Sequence, residues 1–327
     1  MRSLPDQSLG YSDPAGLPAL RETLAGYLGR VRGGSCEPDN IVVCNGFSHG
    51  LSLLARVLAE RGIAVEDPGH PNWREQIDGA GASWHPVEVD GEGVRVDRLA
   101  ASGAGAVLVT PAHQYPTGVV LSASRRIDLL DWARTSGGYI IEDDYDAEYR
   151  YDRHPVGALQ GVAPDHVIHA GSLSKSLAPG LRLGWLVVPS ALRDEVVAAR
   201  ARGDRFTSSI IQATAAEFIE RGDLDRHLRR TRRSYRQRRD ALTAALRQQL
   251  PACGATGISA GLHVLVRLPD RVDATHLAAT AAEHGILVHA LDRYRASPAR
   301  DQPGALVMGY SRLAPATSRK ASSTSPP

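Results

Sequence analysis

Lys175 is the residue of this sequence best suited to covalent chemistry. Of the 38 lysine and arginine residues, only Lys175 and Lys320 are lysines. Arginine stays protonated, whereas a lysine amine can lose its proton and attack an aldehyde, so a lysine retained among arginines can serve where arginine cannot. Lys320 lies in a tail of Ser, Thr and Pro, and Lys175 lies in a turn rich in Gly and Ser. Composition alone fits the chance survival of Lys175 equally well.

Two segments carry groups that suit a phosphate. The turn at residues 171–184 puts Ser172 and Ser174 before the lysine and Arg182 seven residues after it. Hydroxyls and a guanidinium are good phosphate donors. Residues 44–50, CNGFSHG, lie where a short apolar strand opens into a helix. The free backbone N–H groups of such a turn favour an anion, although many strand-to-helix turns share this pattern.

Two further segments place polar residues after apolar strands. Residues 140–145, IIEDDY, run from an apolar strand into carboxylates. The carboxyl ends of strands are where open α/β sheets bind ligands. A solvated acidic loop or a metal-binding edge would give the same pattern, but no second acidic cluster with ligand spacing supports a metal. Residues 110–118, TPAHQYPTG, form another strand end followed by a tight loop.

Short apolar strands and helices alternate over the part of the chain that carries these segments. Strands are predicted at residues 41–44, 63–66, 106–110, 139–142, 167–169 and 183–188, and helices at 17–31, 48–60, 71–80 and 122–135. This alternation is typical of a mostly parallel sheet that is covered by helices on both faces.

The pattern changes after Pro189. Long helices are predicted at residues 191–201, 208–220 and 223–250, and a smaller unit follows with strands at 262–267, 286–289 and 305–309 and a helix at 274–284. We therefore predict a large cofactor-binding domain with an N-terminal arm over residues 1–210, a small α+β domain over 211–313, and a disordered tail over 314–327.

The order and wording of these motifs resemble fold-type I aminotransferases. The stretches HQYPTG, IIEDDYDAEYRY, SLSKSLAPGLRLGW and YSDPAGLPALRETLAGYL are most similar to the aminotransferase-like domain of MocR/GabR-type transcriptional regulators of the GntR family. The resemblance runs from about Leu9 to about Leu313, and four ordered motifs are far more specific than one. It implies an α/β fold with a seven-stranded, mostly parallel sheet and a small C-terminal α+β domain.

The resemblance also implies pyridoxal 5′-phosphate (PLP) as cofactor and assigns a role to each motif. Lys175 resembles the lysine that forms an imine with the cofactor, Asp143 the partner of its pyridine nitrogen, and Tyr145 the hydroxyl at its O3′. An acid beside the nitrogen favours the protonated ring, which makes the cofactor an electron sink. Tyr11 resembles the tyrosine that such dimers lend to the neighbour's phosphate, which implies a homodimer. The residues implied for the phosphate cup are Gly46, Phe47, Ser48, Ser172, Ser174 and Arg182.

The sequence departs from the family pattern at three places. His70, in PGHP, stands where an aromatic ring usually stacks on the cofactor, and it either stacks there or is simply a loop residue. Tyr115 stands where Asn-Pro-Thr-Gly has its asparagine, so the polar contact with the ring would come from His113 or Gln114. Val307 stands where an arginine usually pairs with the substrate carboxylate, so the bidentate clamp is missing at its usual place. Candidate substitutes for that arginine are Arg293, Arg295 and Arg312.

Bulk properties exclude several other classes of protein. The 327 residues, of which 43% are hydrophobic and 23% charged, are typical of a soluble globular chain with one or two domains. No apolar run is long enough to cross a membrane, and the N-terminus has no apolar core of a signal peptide. Three widely spaced cysteines make neither a disulfide framework nor a metal site, so a cytoplasmic location is the default.

A basic stretch at residues 226–239, RHLRRTRRSYRQRR, invites a nucleic-acid interpretation. The formal net charge of only +2 gives no general attraction to nucleic acid, and a charge run alone is weak evidence. We interpret the stretch as the solvated face of a long helix. The chain begins where the linker after a regulator's winged helix-turn-helix would end, so we expect no nucleic-acid partner for this chain alone. We also expect the polar tail to replace the C-terminal helix that usually follows in this family.

Three functions fit these observations. The first is a PLP-binding domain that senses a small amine or amino acid for a MocR-type regulator, with little or no turnover. The second is a free-standing PLP-dependent aminotransferase that moves an amino group from an amino acid to a 2-oxo acid. The third is a truncated gene product that does neither. The motif wording favours the first, the missing DNA-binding domain favours the others, and Val307 argues against an ordinary α-amino-acid enzyme.

Overall fold

The computed structural model describes residues 10–151, 156–297 and 303–311. Its helices are α1 (Pro18–Arg32), α2 (Phe47–Val57), α3 (Pro71–Gly79), α4 (Val96–Ser102), α5 (Ala123–Ser136), α6 (Leu173–Ser176), α7 (Ser190–Gly203), α8 (Ser209–Glu220), α9 (Asp223–Gln249) and α10 (Ala274–Glu283). Its strands are β1 (Ile41–Cys44), β2 (Ile63–Asp67), β3 (Trp84–Asp90), β4 (Gly93–Val94), β5 (Ala106–Val109), β6 (Tyr139–Asp143), β7 (Val167–Ser172), β8 (Gly184–Val187), β9 (Gly254–Thr256), β10 (His263–Arg267), β11 (His289–Ala290) and β12 (Ala305–Gly309).

The main sheet has the strand order β1-β8-β7-β6-β5-β2-β3-β4. Strands β7, β6, β5, β2 and β3 are mutually parallel, and β8 lies antiparallel between β1 and β7. The two-residue strand β4 extends the far edge by an antiparallel pair. The predicted α/β class, with its seven-stranded and mostly parallel sheet, is therefore confirmed, and β4 is a short addition to it.

Both faces of this sheet are covered, which explains why its central strands are continuously apolar. On one face, Leu108, Ile141 and Ile168 pack against α2, α3 and α7. On the other face, Val107, Ile140 and Val167 pack against α4 and α5. Alternate residues along one strand point to opposite faces. Ile140 and Ile141 therefore belong to different cores. The later even-numbered residues of β6 point to the same face as Ile140, and the odd-numbered ones to the same face as Ile141.

A second sheet is fully antiparallel, with the strand order β11-β12-β10-β9. It carries α10 on one side, and the long helix α9 connects it to the main sheet. The predicted domain boundary at residue 210 falls just inside α8, which packs on both α1 and α9. The division of the chain into domains stays a prediction. Residues 312–327, which include Arg312 and the predicted tail, lie outside the described residues.

Some elements differ from the sequence-based expectation. The elements β3, β4, α4 and β9 were not predicted, because β3 and β9 are largely exposed and the other two are short. The prediction that a strand begins at residue 286 is wrong, since β11 begins at His289. The Ile286 amide still donates to the Ala281 carbonyl at the end of α10, so pairing with β12 begins only at His289.

Among the described residues, the helices include no segment with the length and apolarity needed to span a bilayer.

A buried ion network fixes α1 to the ends of β6 and β7. Arg32 donates to both carboxylate oxygens of Asp144, at 2.7 and 2.9 Å, and His169 Nε2 lies 3.0 Å from the same carboxylate. All three side chains are buried. Burial disfavours the charged carboxylate, but the two cations outweigh it and hold the pKa of Asp144 well below its usual range. The bond to Asp144 likewise outweighs burial at His169 and raises the pKa of its imidazole.

Replacing Asp144 by Asn should cost about 3–5 kcal/mol of unfolding free energy, because two buried cations lose their anion. The depressed pKa of Asp144 gives stability that is present above about pH 4, the pKa of an unfolded carboxyl, and is lost as pH falls further. The raised pKa of His169 gives stability that is full below about pH 6.5 and is lost as pH rises through its folded pKa. Denaturant unfolding over a pH series measures both effects. The surface variant Asp131→Asn should cost under about 1 kcal/mol, and an equal loss in both variants would contradict the network's role.

Candidate functional site

The register of β8 brings three sequence-distant segments to one point. Gly184 pairs with Cys44 on β1 and with Ser172 on β7. A Cβ at Gly184 would lie 2.9 Å from both the Gly171 carbonyl oxygen and Gly46 Cα, so a side chain does not fit between the strands. The residues just beyond these pairs therefore converge, namely the start of α2, the turn with Arg182 and the start of α6.

This convergence builds a cationic pocket edge rich in N–H groups. Arg182 donates from Nη2 to the Asn45 carbonyl oxygen at 3.0 Å. Its guanidinium lies beside Gly46, within 3.6 Å of where a Cβ would stand. Gly46 has a φ of +81° and precedes the first turn of α2, where backbone N–H groups are free. The N-terminus of the 11-residue helix α2, beside a guanidinium, suits a phosphate dianion.

The six residues predicted for the phosphate cup are distributed around this point. Gly46, Phe47 and Ser48 open α2, and Arg182 faces them. Ser172 ends β7, and Ser174 lies in the short helix α6, one residue before Lys175. The Phe47 ring also packs edge-on against Trp73, with their centroids 6.2 Å apart. The structure therefore places these residues near one another, and their contact with a phosphate stays a prediction.

Lys175 lies close enough to Asp143 for its charge to act on that carboxylate. Lys175 is exposed, whereas Asp143 is only 7% exposed at the end of β6. No described residue donates a hydrogen bond to the Asp143 carboxylate. Burial, with smaller contributions from Asp144 and Asp146, raises its pKa well above the usual value, while the charge of Lys175 acts in the opposite direction. Asp143 is thus a buried acid without a protein partner.

The alternation of β6 distinguishes Asp143 from the acids beside it. Glu142 accepts the backbone N–H groups of Leu159 and Gln160, at 3.0 and 3.2 Å. Asp144 is bound by Arg32 and His169. Both therefore lie on the face of Ile140 and are occupied. Asp143 shares the parity of Ile141 and the face covered by α2, which supports its prediction as the functional acid.

Tyr145 is held by a second acid and a histidine. Its hydroxyl donates to the His113 carbonyl oxygen at 3.0 Å and lies 3.1 Å from His113 Nδ1. That nitrogen lies 2.9 Å from Asp146 Oδ2, so its proton goes mainly to the carboxylate. A Cβ at Gly261 would stand 2.1 Å from the His113 ring, so the backbone there presses directly on the ring. His113 therefore orients Tyr145, and a direct contact of His113 with a cofactor ring stays a prediction.

His263 adjoins this group and was not predicted. Its ring centroid lies 5.0 Å from that of His113, and its Nε2 bonds the Pro116 carbonyl oxygen at 3.1 Å. Burial, helped by His113, lowers the pKa of His263 to about 3, so it is neutral. His113, Asp146 and His263 are buried within reach of one metal ion. Hydrogen bonds already use His113 Nδ1, Asp146 Oδ2 and His263 Nε2, which favours a role in supporting Tyr145.

Gln114 is committed to the shape of its own loop. Its amide Nε2 donates to Glu66, to the Pro68 carbonyl and to the Tyr115 carbonyl, at 3.2, 2.9 and 2.7 Å. Its Oε1 accepts the N–H and hydroxyl of Thr117. Burial raises the pKa of Glu66 to about 7, so this anchor is close to half-protonated at neutral pH. The structure gives no support to Gln114 as a ring contact, because both ends of its amide are used.

Aromatic rings form a continuous wall beside Tyr145. His70 stacks on Tyr115 at 5.3 Å and on Trp73 at 6.0 Å, and Tyr115 packs edge-on against Tyr145 at 5.9 Å. The Tyr115 hydroxyl donates to that of Tyr294 at 3.2 Å. Burial, helped by Lys175, lowers the pKa of His70 to about 4, so at neutral pH it is an uncharged ring. A neutral ring in this position is suited to stacking on a planar ligand.

Val307 lies behind this aromatic wall in an apolar cluster. It is 5% exposed and packs with Leu265, Leu291 and Tyr294, with Tyr115 against them. Of the arginines predicted as substitutes for a carboxylate clamp, Arg295 pairs with Asp292 at 3.4 Å and Arg293 is exposed. Arg312 lies outside the described residues. Val307, which the family resemblance places at the position of the clamp arginine, is therefore also surrounded by apolar side chains in the structure.

Tyr11 projects from the N-terminal arm. It is 88% exposed, and its one recorded ring contact is an edge-on packing with Phe206 at 5.9 Å. A large aromatic side chain so exposed is available to a second copy of the chain, which supports the prediction that it serves a neighbour's site.

Sequence reasoning missed four residues of this region, which are Trp73, Asp146, His263 and Tyr294. Asp146 had a weak signal, since it lies three residues after Asp143 in the same acidic segment. His263 and Tyr294 had none, because they come from the small antiparallel unit and meet the motifs only in space.

Comparison with known proteins gives a consistent result. The family described as aminotransferase class I and II matches residues 3–303. A probable rhizopine catabolism regulatory protein MocR of Rhizobium meliloti is 33% identical over 317 residues, covering 95% of this chain and 64% of the relative. The uncharacterised HTH-type transcriptional regulator YhdI of Bacillus subtilis is 35% identical over 280 residues, covering 85% and 60%. The chain thus spans about three fifths of the length of such relatives.

Solved structures share the fold. A kynurenine aminotransferase of Pyrococcus horikoshii, solved with PMP, superposes with a TM-score of 0.89 at 26% identity, covering 99% of this chain and 82% of that one. An archaeal alanine:glyoxylate aminotransferase superposes with a TM-score of 0.88 at 28% identity, covering 97% and 82%. These comparisons confirm the predicted resemblance and fold class.

The unpartnered Asp143 predicts an unusual stability profile for the chain without ligand. A raised pKa means that the folded state binds a proton more tightly than the unfolded state, so Asp143 destabilises the fold increasingly above about pH 4, by up to about 1.4 kcal/mol per pH unit until its folded pKa is reached. Asp143→Asn should therefore raise stability at pH 8 and change it little at pH 4. Thermal unfolding at both pH values measures this. The exposed control Asp270→Asn should change neither, and a loss of stability in Asp143→Asn at pH 8 would contradict the assignment.

Proposed function

The chain belongs to the aminotransferase class I and II family, and from that premise we propose that it binds PLP to sense a small amine or amino acid, as the effector domain of a MocR-type transcriptional regulator. Relatives named as HTH-type regulators, 33–35% identical and longer than this chain, support the regulatory part. The observation that carries sensing over turnover is the apolar cluster around Val307, at the place of the carboxylate clamp.

The residues of the site fit PLP. The start of α2 with Arg182 offers donors to a phosphate, and the unpartnered acid Asp143 can hold a protonated ring nitrogen. Tyr145 presents a fixed hydroxyl, and the neutral ring of His70 can stack. When bound, PLP supplies an aldehyde for amines and a ring that withdraws electrons. Burial of Asp143 leaves its carboxylate little contact with water, so a cationic partner there would be held strongly.

Lys175 is exposed at the mouth of this site, so its amine can meet both a cofactor aldehyde and an incoming amine. The charge of Lys175 also lowers the pKa of His70, which keeps the stacking ring neutral. Because Lys175 is exposed, an incoming amine could reach it without any rearrangement of the strands.

Lys175→Ala should abolish borohydride-dependent attachment of PLP to the protein, because Lys175 is the only lysine among the residues that the structure describes. Some reversible binding should remain through Arg182 and α2. Mass spectrometry of the reduced protein locates the label, and Lys320→Ala serves as the control that keeps it. Label found on Lys320, or on neither lysine, would overturn the central assignment.

The apolar cluster around Val307 limits turnover. Transamination requires the substrate to be locked so that its α-hydrogen stands over the cofactor ring near the lysine that moves the proton. A bidentate arginine does much of this locking for an α-carboxylate. Here Val307, Leu265 and Leu291 would meet that carboxylate with apolar atoms, and burying an unpaired charge is costly. Amines without an α-carboxylate avoid this cost and fit the aromatic wall.

Val307→Arg should raise the half-reaction rate of α-amino acids more than it raises spectral binding of simple amines. The guanidinium would be buried beside Tyr294 and Tyr115, so we also expect a lower melting temperature. Absorption changes on mixing with each ligand measure the half-reaction rate and the binding, and thermal unfolding measures the melting temperature. Val307→Leu, which keeps the cluster apolar, should leave the rate and the binding unchanged. Turnover of the unmodified protein with 2-oxoglutarate at about 1–1000 per second would instead make the chain a working aminotransferase.

The enzyme alternative has some support. An aromatic-amino-acid aminotransferase of Thermococcus litoralis is 28% identical over 293 residues and is covered to 70% of its length. The wall formed by His70, Tyr115 and Tyr294 would suit an aromatic side chain. We keep this second candidate because Lys175, Asp143 and Tyr145 are all present.

We also propose that the functional unit is a homodimer, because the family resemblance implies that Tyr11 serves a phosphate in another copy's site and its side chain is exposed.

A further inference from the structure

Helix α9 has two faces of different chemistry. Its apolar face carries Leu224, Leu228, Leu242 and Leu246, all buried in the core. Three of its arginines also turn towards the protein. Arg232 donates to the Glu148 carbonyl at 2.8 Å, Arg238 donates to the Ser311 carbonyl, and Arg239 donates to the Ile258 carbonyl at 3.3 Å. The basic sequence of this helix is therefore only partly a solvated surface.

The remaining arginines form one outward stripe, which consists of Arg226, Arg229, Arg230, Arg233 and Arg236 and which we call the arginine stripe. All five are exposed. At 100° per residue they lie within about a third of the helix circumference, and at 1.5 Å per residue they extend over about 15 Å. Four of them line a shallow groove, and no residue of another type contributes to its lining.

The centre of the stripe has no counter-ions. Arg226 pairs with Asp223 at one end, and Arg236 lies 3.9 Å from Asp240 at the other. Arg229, Arg230 and Arg233 pair with no carboxylate in the part of the chain that the structure describes. Arginines three and four residues apart repel one another and destabilise a helix. Other exposed arginines of the chain, such as Arg134 and Arg221, do have an acidic partner within three or four residues along the sequence.

We propose that the arginine stripe is a docking surface for the phosphate backbone of duplex DNA, bound without sequence preference. A row of unpaired guanidinium groups at the spacing of a helix surface matches closely spaced phosphates, and each contact releases a counter-ion. Arginine binds phosphate oxygens bidentately. A basic face that only contacts water does not require this geometry, and lysine would serve it equally well.

An anionic membrane is the less suitable partner. Helices that lie on a membrane expose an apolar face beside their basic one. The apolar face of α9 is buried against the core, and no exposed aromatic or aliphatic side chain stands within the stripe. The stripe therefore offers charge without an anchor, which suits a phosphate backbone.

This inference adds to the proposed function and uses none of the residues of the PLP site. If the chain serves a regulator, the stripe would hold DNA beside the site that a separate reading domain selects. Such docking modifies the expectation that this chain alone has no nucleic-acid partner. The stripe contains no base-reading element, so the binding proposed is without a specific target.

The test compares two triple Gln variants that lose the same charge, one in the arginine stripe and one elsewhere on the surface. Binding of a short fluorescent duplex of random sequence is followed by anisotropy between about 50 and 200 mM salt. We expect weak binding whose logarithm falls linearly with the logarithm of salt concentration. Arg229→Gln, Arg230→Gln and Arg233→Gln combined should reduce that slope by roughly 2 to 3, at about 0.9 per phosphate contact. The same three positions changed to Lys should keep most of the slope, because the charge remains.

The control removes three exposed arginines elsewhere, by Arg98→Gln, Arg134→Gln and Arg202→Gln. An equal fall of the slope in this control would overturn the proposal, as would unchanged binding in the stripe variant. Vesicles of phosphatidylcholine with phosphatidylserine are the second probe, and stripe-dependent binding to vesicles but not to duplex would also overturn it. The PLP absorption band of each variant is recorded separately, so that failure of cofactor binding is not confused with failure of the docking surface.

Discussion

The alternation of side chains at the end of β6 is the constraint on which the site depends. Three consecutive acids, Glu142, Asp143 and Asp144, end one buried strand, and the pleat sends the middle one to the face opposite its neighbours. The two outer acids are neutralised by backbone N–H groups and by Arg32 with His169. That neutralisation makes it possible to keep a third carboxylate buried and unpartnered in the same place. A shift of one residue in strand register would exchange the structural and the functional acid.

Crowding at Gly184 is the second constraint. Antiparallel β8 between β1 and β7 brings two turns and a helix start close enough that no side chain fits between them. The close approach places the Arg182 guanidinium beside the free N–H groups of α2. The edge that suits an anion is therefore produced by strand packing, and α2 at this edge covers the sheet face that also carries Asp143.

The two sides of the site differ in how strongly they are organised. On the cofactor side, Tyr145, His113 and Asp146 hold one another, and the backbone at Gly261 presses on them from the small domain. On the substrate side, Val307 and the aromatic wall offer shape but no fixed charge. Such a site can retain a cofactor and distinguish amines by their apolar parts, while it gives an α-carboxylate little to bind. That asymmetry is the physical reason for preferring recognition to turnover.

The sequence by itself determined the fold class and the order of the motifs, because these depend on strand periodicity and short-range spacing. It predicted Lys175 and Asp143 as site residues through the resemblance of those motifs to a known family. Tertiary structure alone decided which acid is free, because Asp144 meets Arg32 across 112 residues. It also decided that Gln114 serves its own loop, that His263 and Tyr294 reach the site from the small domain, and which arginines of α9 face outward. Each of these depends on long-range contacts between elements whose relative placement is set by core packing, and local sequence patterns carry no record of that placement.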